Sequence, residues 1–144
     1  MKIVDFIVCD DVRSEVGGQV TLVGVYTDGI KVAAVQGQLM WPIVLPKLGV
    51  FVRFLASGSE FVPSTFILSF LHNGNLVARF EGGIVITDIS RSITIAISGN
   101  NFPIPSPGKL TCSIELKSAA KSMTLTPEIS LMVETAAPPV ATAG

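Results

Sequence analysis

Thr65-Phe-Ile-Leu-Ser-Phe-Leu-His-Asn-Gly-Asn-Leu-Val-Ala-Arg-Phe80 is the stretch whose reading decides the fold. Asn73-Gly74 is a two-residue hairpin signal, because both residues tolerate the positive φ of a type I′ turn. The flanks, Thr65 to Leu71 and Leu76 to Phe80, are rich in aromatic and branched residues, as strands are. A two-residue turn places His72 opposite Asn75, Leu71 opposite Leu76, Phe70 opposite Val77 and Leu68 opposite Arg79. Opposed residues share a face. One face then carries Ile67, Ser69, Leu71, Leu76, Ala78 and Phe80, and its small residues suit it to a sheet-packing core. The other carries Phe66, Leu68, Phe70, Val77 and Arg79, an interface composition. The expectation is that Phe66, Leu68 and Phe70 are buried only in an oligomer, or under a partner or a covering loop.

Toward the C-terminus, Gly82-Gly83 breaks the chain. Strand material follows at Ile84 to Ile89 and Ser92 to Ser98. Asn100 to Gly108 holds three prolines and reads as loop. Leu110 to Lys117 alternates cleanly, with Leu110, Cys112, Ile114 and Leu116 on one side. Cys112 is therefore expected to be buried and unreactive. Thr124 to Val133 reads as the last strand. Ala, Pro and Thr dominate from Thr135 on, as in a flexible tail.

Toward the N-terminus, Val50 to Ala56 is strand-like. Gln36 to Gly49, with Trp41, Pro42 and Pro46, reads as a loop crossing between sheets. Val20 to Tyr26 is a strand in which Gly24 signals a bulge or a close backbone approach. Residues 2–9 alternate, and Asp10 to Gly18 reads as a charged connection. No window keeps a helical period beyond two turns. Short strands recurring every 8–12 residues predict an all-β fold, an antiparallel two-sheet, immunoglobulin-like sandwich of seven to nine strands. The expected division is one domain over 1–134 and a tail over 135–144.

The chain has 144 residues and a formal net charge of −1, with ten Lys plus Arg against eleven Asp plus Glu. Such a chain has no long-range field to draw nucleic acid or an anionic membrane. Only 15% of its residues are charged, below the usual share of about 25%. Mean hydropathy is +0.61. That apolar surplus predicts a homo-oligomer or a bound protein partner. Residues 1–6 do not read as a secretory signal, since Asp5 interrupts the apolar run. Leu39 to Ala56 contains Pro42, Lys47, Gly49 and Arg53 and does not read as a membrane span. Two cysteines without a leader imply reduced thiols and a cytoplasmic location.

Chemistry-bearing groups are few. Asp10, Asp11 and Glu15 offer hard oxygen ligands for Ca²⁺ or Mg²⁺. The alternate-position calcium-loop pattern is missing, and the same residues can close a turn with Arg13 paired to a carboxylate. His72 is the single histidine and precedes the hairpin turn, a position that is usually solvated. No Gly-x-Ser-x-Gly elbow, phosphate loop or dinucleotide fingerprint is present. The expectation leans away from an enzyme and includes no cofactor. Trp41 can anchor an interface or plug the end of a sandwich.

Cys9-Asp10-Asp11-Val12-Arg13-Ser14-Glu15, followed by Gly17-Gly18 and Thr21-Leu22-Val23-Gly24-Val25-Tyr26, resembles the opening of a family of small, uncharacterised bacterial proteins. Pro105-Ser106-Pro107-Gly108 is similar to that family's late segment. The resemblance implies a cytoplasmic bacterial β-sandwich and carries no activity. Two functions stand side by side. One is a non-catalytic module that self-associates or binds a protein, with Phe66, Leu68, Phe70, Val77 and Trp41 at the interface. The other is a small-ligand or divalent-metal protein using residues 10–15.

Overall fold

The computed structural model describes residues 1–33, 41–55, 61–84, 92–128 and 130–136. Ten strands run through them: β1 (Lys2–Ser14), β2 (Val20–Val25), β3 (Gly29–Val32), β4 (Ile43–Leu55), β5 (Thr65–His72), β6 (Asn75–Gly83), β7 (Ile93–Ile104), β8 (Gly108–Lys117), β9 (Ser122–Leu125) and β10 (Leu131–Thr135). The first sheet has the order β2-β1-β4-β7. The second has the order β3-β10-β8-β5-β6, with β9 also on β8. Every pairing is antiparallel except β10 with β3. The all-β, two-sheet expectation holds, with more strands than the seven to nine foreseen. The strand order supports a two-sheet architecture and goes no further toward the immunoglobulin-like label. Of the tail expected over 135–144, residues 137–144 lie outside the described residues, and so do residues 85–89 of the strand expected at Ile84 to Ile89 and residues 36–40 of the expected crossing loop.

The core lies between the sheets. Leu48, Val50, Val52 and Phe54 of β4 and Ile93 and Ile95 of β7 come from one side. Phe66, Leu68 and Phe70 of β5 and Leu110, Cys112, Ile114 and Leu116 of β8 come from the other. Strand alternation produces this directly, because every second side chain meets the facing sheet. Each large side chain so buried contributes about 1.5–3 kcal/mol by removal of apolar surface from water.

The hairpin forms where Asn73-Gly74 predicts it, with Asn73 at φ 47°, and Ala78 and Phe80 of β6 face the core as expected, but the faces of β5 are the reverse of the expectation. Leu71 pairs with Leu76, whereas Phe70 pairs with Ala78 and Leu68 with Phe80. Val77 is thus an extra residue, a β-bulge. The bulge turns Arg79 outward, where it pairs with Glu81 at 2.8 Å. It turns Phe80 inward to meet Phe70 edge-on at 6.1 Å between ring centres. Phe66, Leu68 and Phe70, expected to need an oligomer, a partner or a covering loop, are buried by the facing sheet of the same chain. His72 is also buried rather than solvated, with its Nε2 2.8 Å from the Ser106 carbonyl oxygen.

Three segments expected as loops are strand. Asp10 to Ser14 continues β1, and Asp11 to Ser14 pair with Val23 to Val20. Ile43 to Gly49 opens β4, and Asn100 to Ile104 closes β7. The prolines are tolerated because they sit where no ladder bond is lost. β4 pairs with β1 only from Gly49 onward, so Pro46 occupies an edge. Pro103 lies on β7, the outermost strand of its sheet. The expected last strand is two strands, β9 and β10, divided around Pro127.

β7 also switches faces. Ile93 and Ile95 point inward, and so do Phe102 and Ile104, an odd-numbered pair followed by an even-numbered one. The switch falls at Asn101, at φ 57°. β4 switches opposite it, between Leu45 and Leu48.

Candidate functional site

The charged stretch of β1 is pinned down rather than open. Beyond Cys9 the strand leaves β4, and Val12 and Cys9 pack over Gly49 on the outer side of the first sheet. Ser98 holds the crossing. Its hydroxyl accepts the Val12 N–H at 2.9 Å and donates to the Asp11 carboxylate at 3.1 Å. Lys47 and Arg13 pair with the same carboxylate at 3.3 and 3.4 Å. Partial desolvation works against ionisation of Asp11, but Lys47, Ser98 and Arg13 outweigh it and hold the carboxyl below its ordinary range.

Asp10 points to the other side of the strand, as adjacent residues must. It accepts a short hydrogen bond from the Tyr26 hydroxyl. Burial, and then this carboxylate, push the Tyr26 phenol well above its usual titration. Gly24, at φ +66°, leaves room for the arrangement, since a Cβ there would collide with the Asp10 carboxylate. The close approach expected at Gly24 is thus to a side chain.

Glu15 lies at the turn, where its N–H donates to the Gln19 carbonyl. The three carboxylates do not converge, and among the described residues no three His, Cys, Asp or Glu groups gather as metal ligands. Asp10 and Asp11 already serve a phenol and two cations. Cys9, fully buried, has its thiol pushed upward first by burial and then by the adjacent carboxylates. Cys112 is pushed up to about 12 by burial alone. Both thiols are free of disulfide and neither is activated. Trp41 is half-buried against the core, and Val77 packs there too from its bulge.

The outer faces of the two sheets differ. On the second sheet, Ser69, Thr111, Ser113 and the Glu115–Lys117 pair make a solvated surface around Ile67 and Leu71. On the first sheet, Ile7, Phe51 and Ala96 form a row across β1, β4 and β7. The next row is Asp5, Arg53 and Thr94, with Asp5 and Arg53 in an ion pair. Leu55 and Val25 extend the apolar surface and are about half exposed. The Asp11–Lys47–Arg13 cluster bounds the other end. This is an apolar centre with a charged rim, the composition that the hairpin had suggested and that the first sheet carries instead. No motif marks it. The signal lay in Ile7 and Phe51, which sit at the polar phase of their strands yet are apolar.

Among the described residues no helix is long and apolar enough to cross a membrane. No curated protein matches the sequence. A model of DUF6941, a family of unknown function, matches residues 4–125, which run from β1 through β9 and leave β10 outside, and the chain belongs to that family.

Proposed function

We propose that this protein is a non-catalytic module that binds protein, a second copy of itself or another chain, through the outer face of its first sheet. The observation that carries the reading is the Ile7–Phe51–Ala96 row between the Asp5–Arg53 pair and the Asp11 cluster. An antiparallel sheet that faces water alternates apolar-in with polar-out. Large apolar groups at the polar phase, bordered by charges of both signs, fit a contact surface. The low charge content supports the same reading. Two buried, unlinked thiols suit a reducing, cytoplasmic setting.

The test is a photo-crosslinking residue at Ala96, compared with one at Ser113 on the opposite face, in expressing cells. Adducts to a protein from Ala96 and none from Ser113 support the proposal. Equal labelling from both, or none from either, overturns it.

A further inference from the structure

We infer that the partner on this face is a second copy of the chain, related by a two-fold axis running parallel to β1 and β4 and midway between them. The inference rests on the contact-face reading above and names its occupant. It comes from the register. Asp5 lies beside Arg53, and Ile7 lies beside Phe51. An axis between the two strands exchanges them when two such faces meet. Asp5 of each copy then stands over Arg53 of the other, and Ile7 over Phe51. The Asp5–Arg53 row thus pairs opposite charges at both of its positions, and the adjacent Ile7–Phe51 row pairs apolar side chains.

An axis perpendicular to the strands would do the reverse. It would stack β4 on β4 and carry Arg53 toward the other copy's Lys47–Asp11–Arg13 cluster, in which two cations share one carboxylate and the net charge is positive. The register therefore selects one of the two orientations available to a face-to-face sheet pair. Sheets that pack this way keep their strands aligned to within about 30°. The same patch serves both copies, as a two-fold contact requires. A net charge of −1 puts no long-range repulsion between them.

The experiment measures solution mass against concentration for the full chain and for Asp5→Arg and Arg53→Asp. Each variant alone sets like charges against each other in the dimer. Mixed in equal amounts, they restore opposite charges at both contacts. The arginine introduced in one variant then faces the aspartate introduced in the other, and the native Arg53 of the first faces the native Asp5 of the second. The wild-type chain is expected at twice its monomer mass, each variant at monomer mass, and the mixture again at twice. Melting curves establish that the variants are folded. Asp5→Asn and Arg53→Gln run alongside as milder changes, each expected to weaken self-association roughly tenfold. A wild-type chain that stays monomeric up to its solubility limit overturns the inference. So do variants that dimerise like wild type, or a mixture that stays monomeric. If Ala96 crosslinks only to a different protein, the contact face stands and the second copy does not.

Discussion

Asn101 sets the geometry of a whole strand. Its φ of 57° lies in the left-handed region, where Asn and Gly are at ease and branched residues are not. That single conformation lets β7 bury Ile95 before it and Phe102 after it. Asn101→Gly is expected to leave the melting temperature within a degree or two, whereas Asn101→Val costs about 1–2 kcal/mol in urea unfolding. Gly24→Ala adds a collision with Asp10 to an unfavourable φ and is expected to cost about 1–3 kcal/mol by the same measurement. Asp11 has a pH signature. Its folded-state carboxyl titrates below its unfolded value, so its stabilising effect is complete above about pH 4 and disappears as the pH falls through the folded value. Thermal melts from pH 6 to pH 2 are expected to show a steeper loss for wild type than for Asp11→Asn. The role of Gly24 was half legible, because a glycine inside a strand signals close approach. That of Asp11 was not, since Ser98 and Lys47 lie far off in sequence and only the fold brings them in.

At the scale of the element, the hairpin separates what local sequence determines from what it leaves open. Asn73-Gly74 determined the turn. The register needed Val77 as a bulge, and nothing local demands one. The demand comes from the facing sheet: without the bulge, Arg79 would share the inward face of Leu68 and Phe70, and burial of an unpaired guanidinium costs several kcal/mol. Tertiary context thus reversed the face assignment of β5 that two-residue pairing alone had given, and left that of Ala78, Arg79 and Phe80 standing. β8, whose alternation is unbroken from Leu110 to Lys117, was legible throughout. The prolines of β4 and β7 misled for a related reason, because edge status is a property of the sheet and not of the strand. Phe70 now separates the two face assignments. It meets Phe80 and Phe102 edge-on, the latter at 5.1 Å between ring centres. Phe70→Ala is expected to cost about 3–5 kcal/mol in chemical unfolding and to leave the native solution mass unchanged. Phe51→Glu is expected to do the opposite, altering the mass with little loss of stability.

For the whole molecule, burial of the core makes stability depend on pH on the alkaline side. Cys112 is enclosed between the sheets with Leu110, Ile114 and Leu116, and burial pushes its thiol from 9.0 to about 12. The folded state holds that proton more tightly than the unfolded state. The contribution is therefore complete below pH 9 and is lost as the pH rises toward 12. Tyr26 acts in the same direction, starting near pH 10, because burial and the Asp10 carboxylate both oppose its ionisation. Neither effect depends on self-association, since Cys112 faces the core and Tyr26 bonds within its own chain. The melting temperature is expected to hold level to about pH 9 and then to fall, with on the order of 1 kcal/mol lost to the thiol by pH 10. Cys112→Ala removes the thiol's share at the cost of a small cavity. Its melting curve starts lower at pH 7 and declines less steeply between pH 9 and pH 11. Parallel slopes for the two proteins would mean that the thiol ionises as freely in the folded chain as in the unfolded one, and Cys112 would not then be the sealed core residue that its neighbours make it.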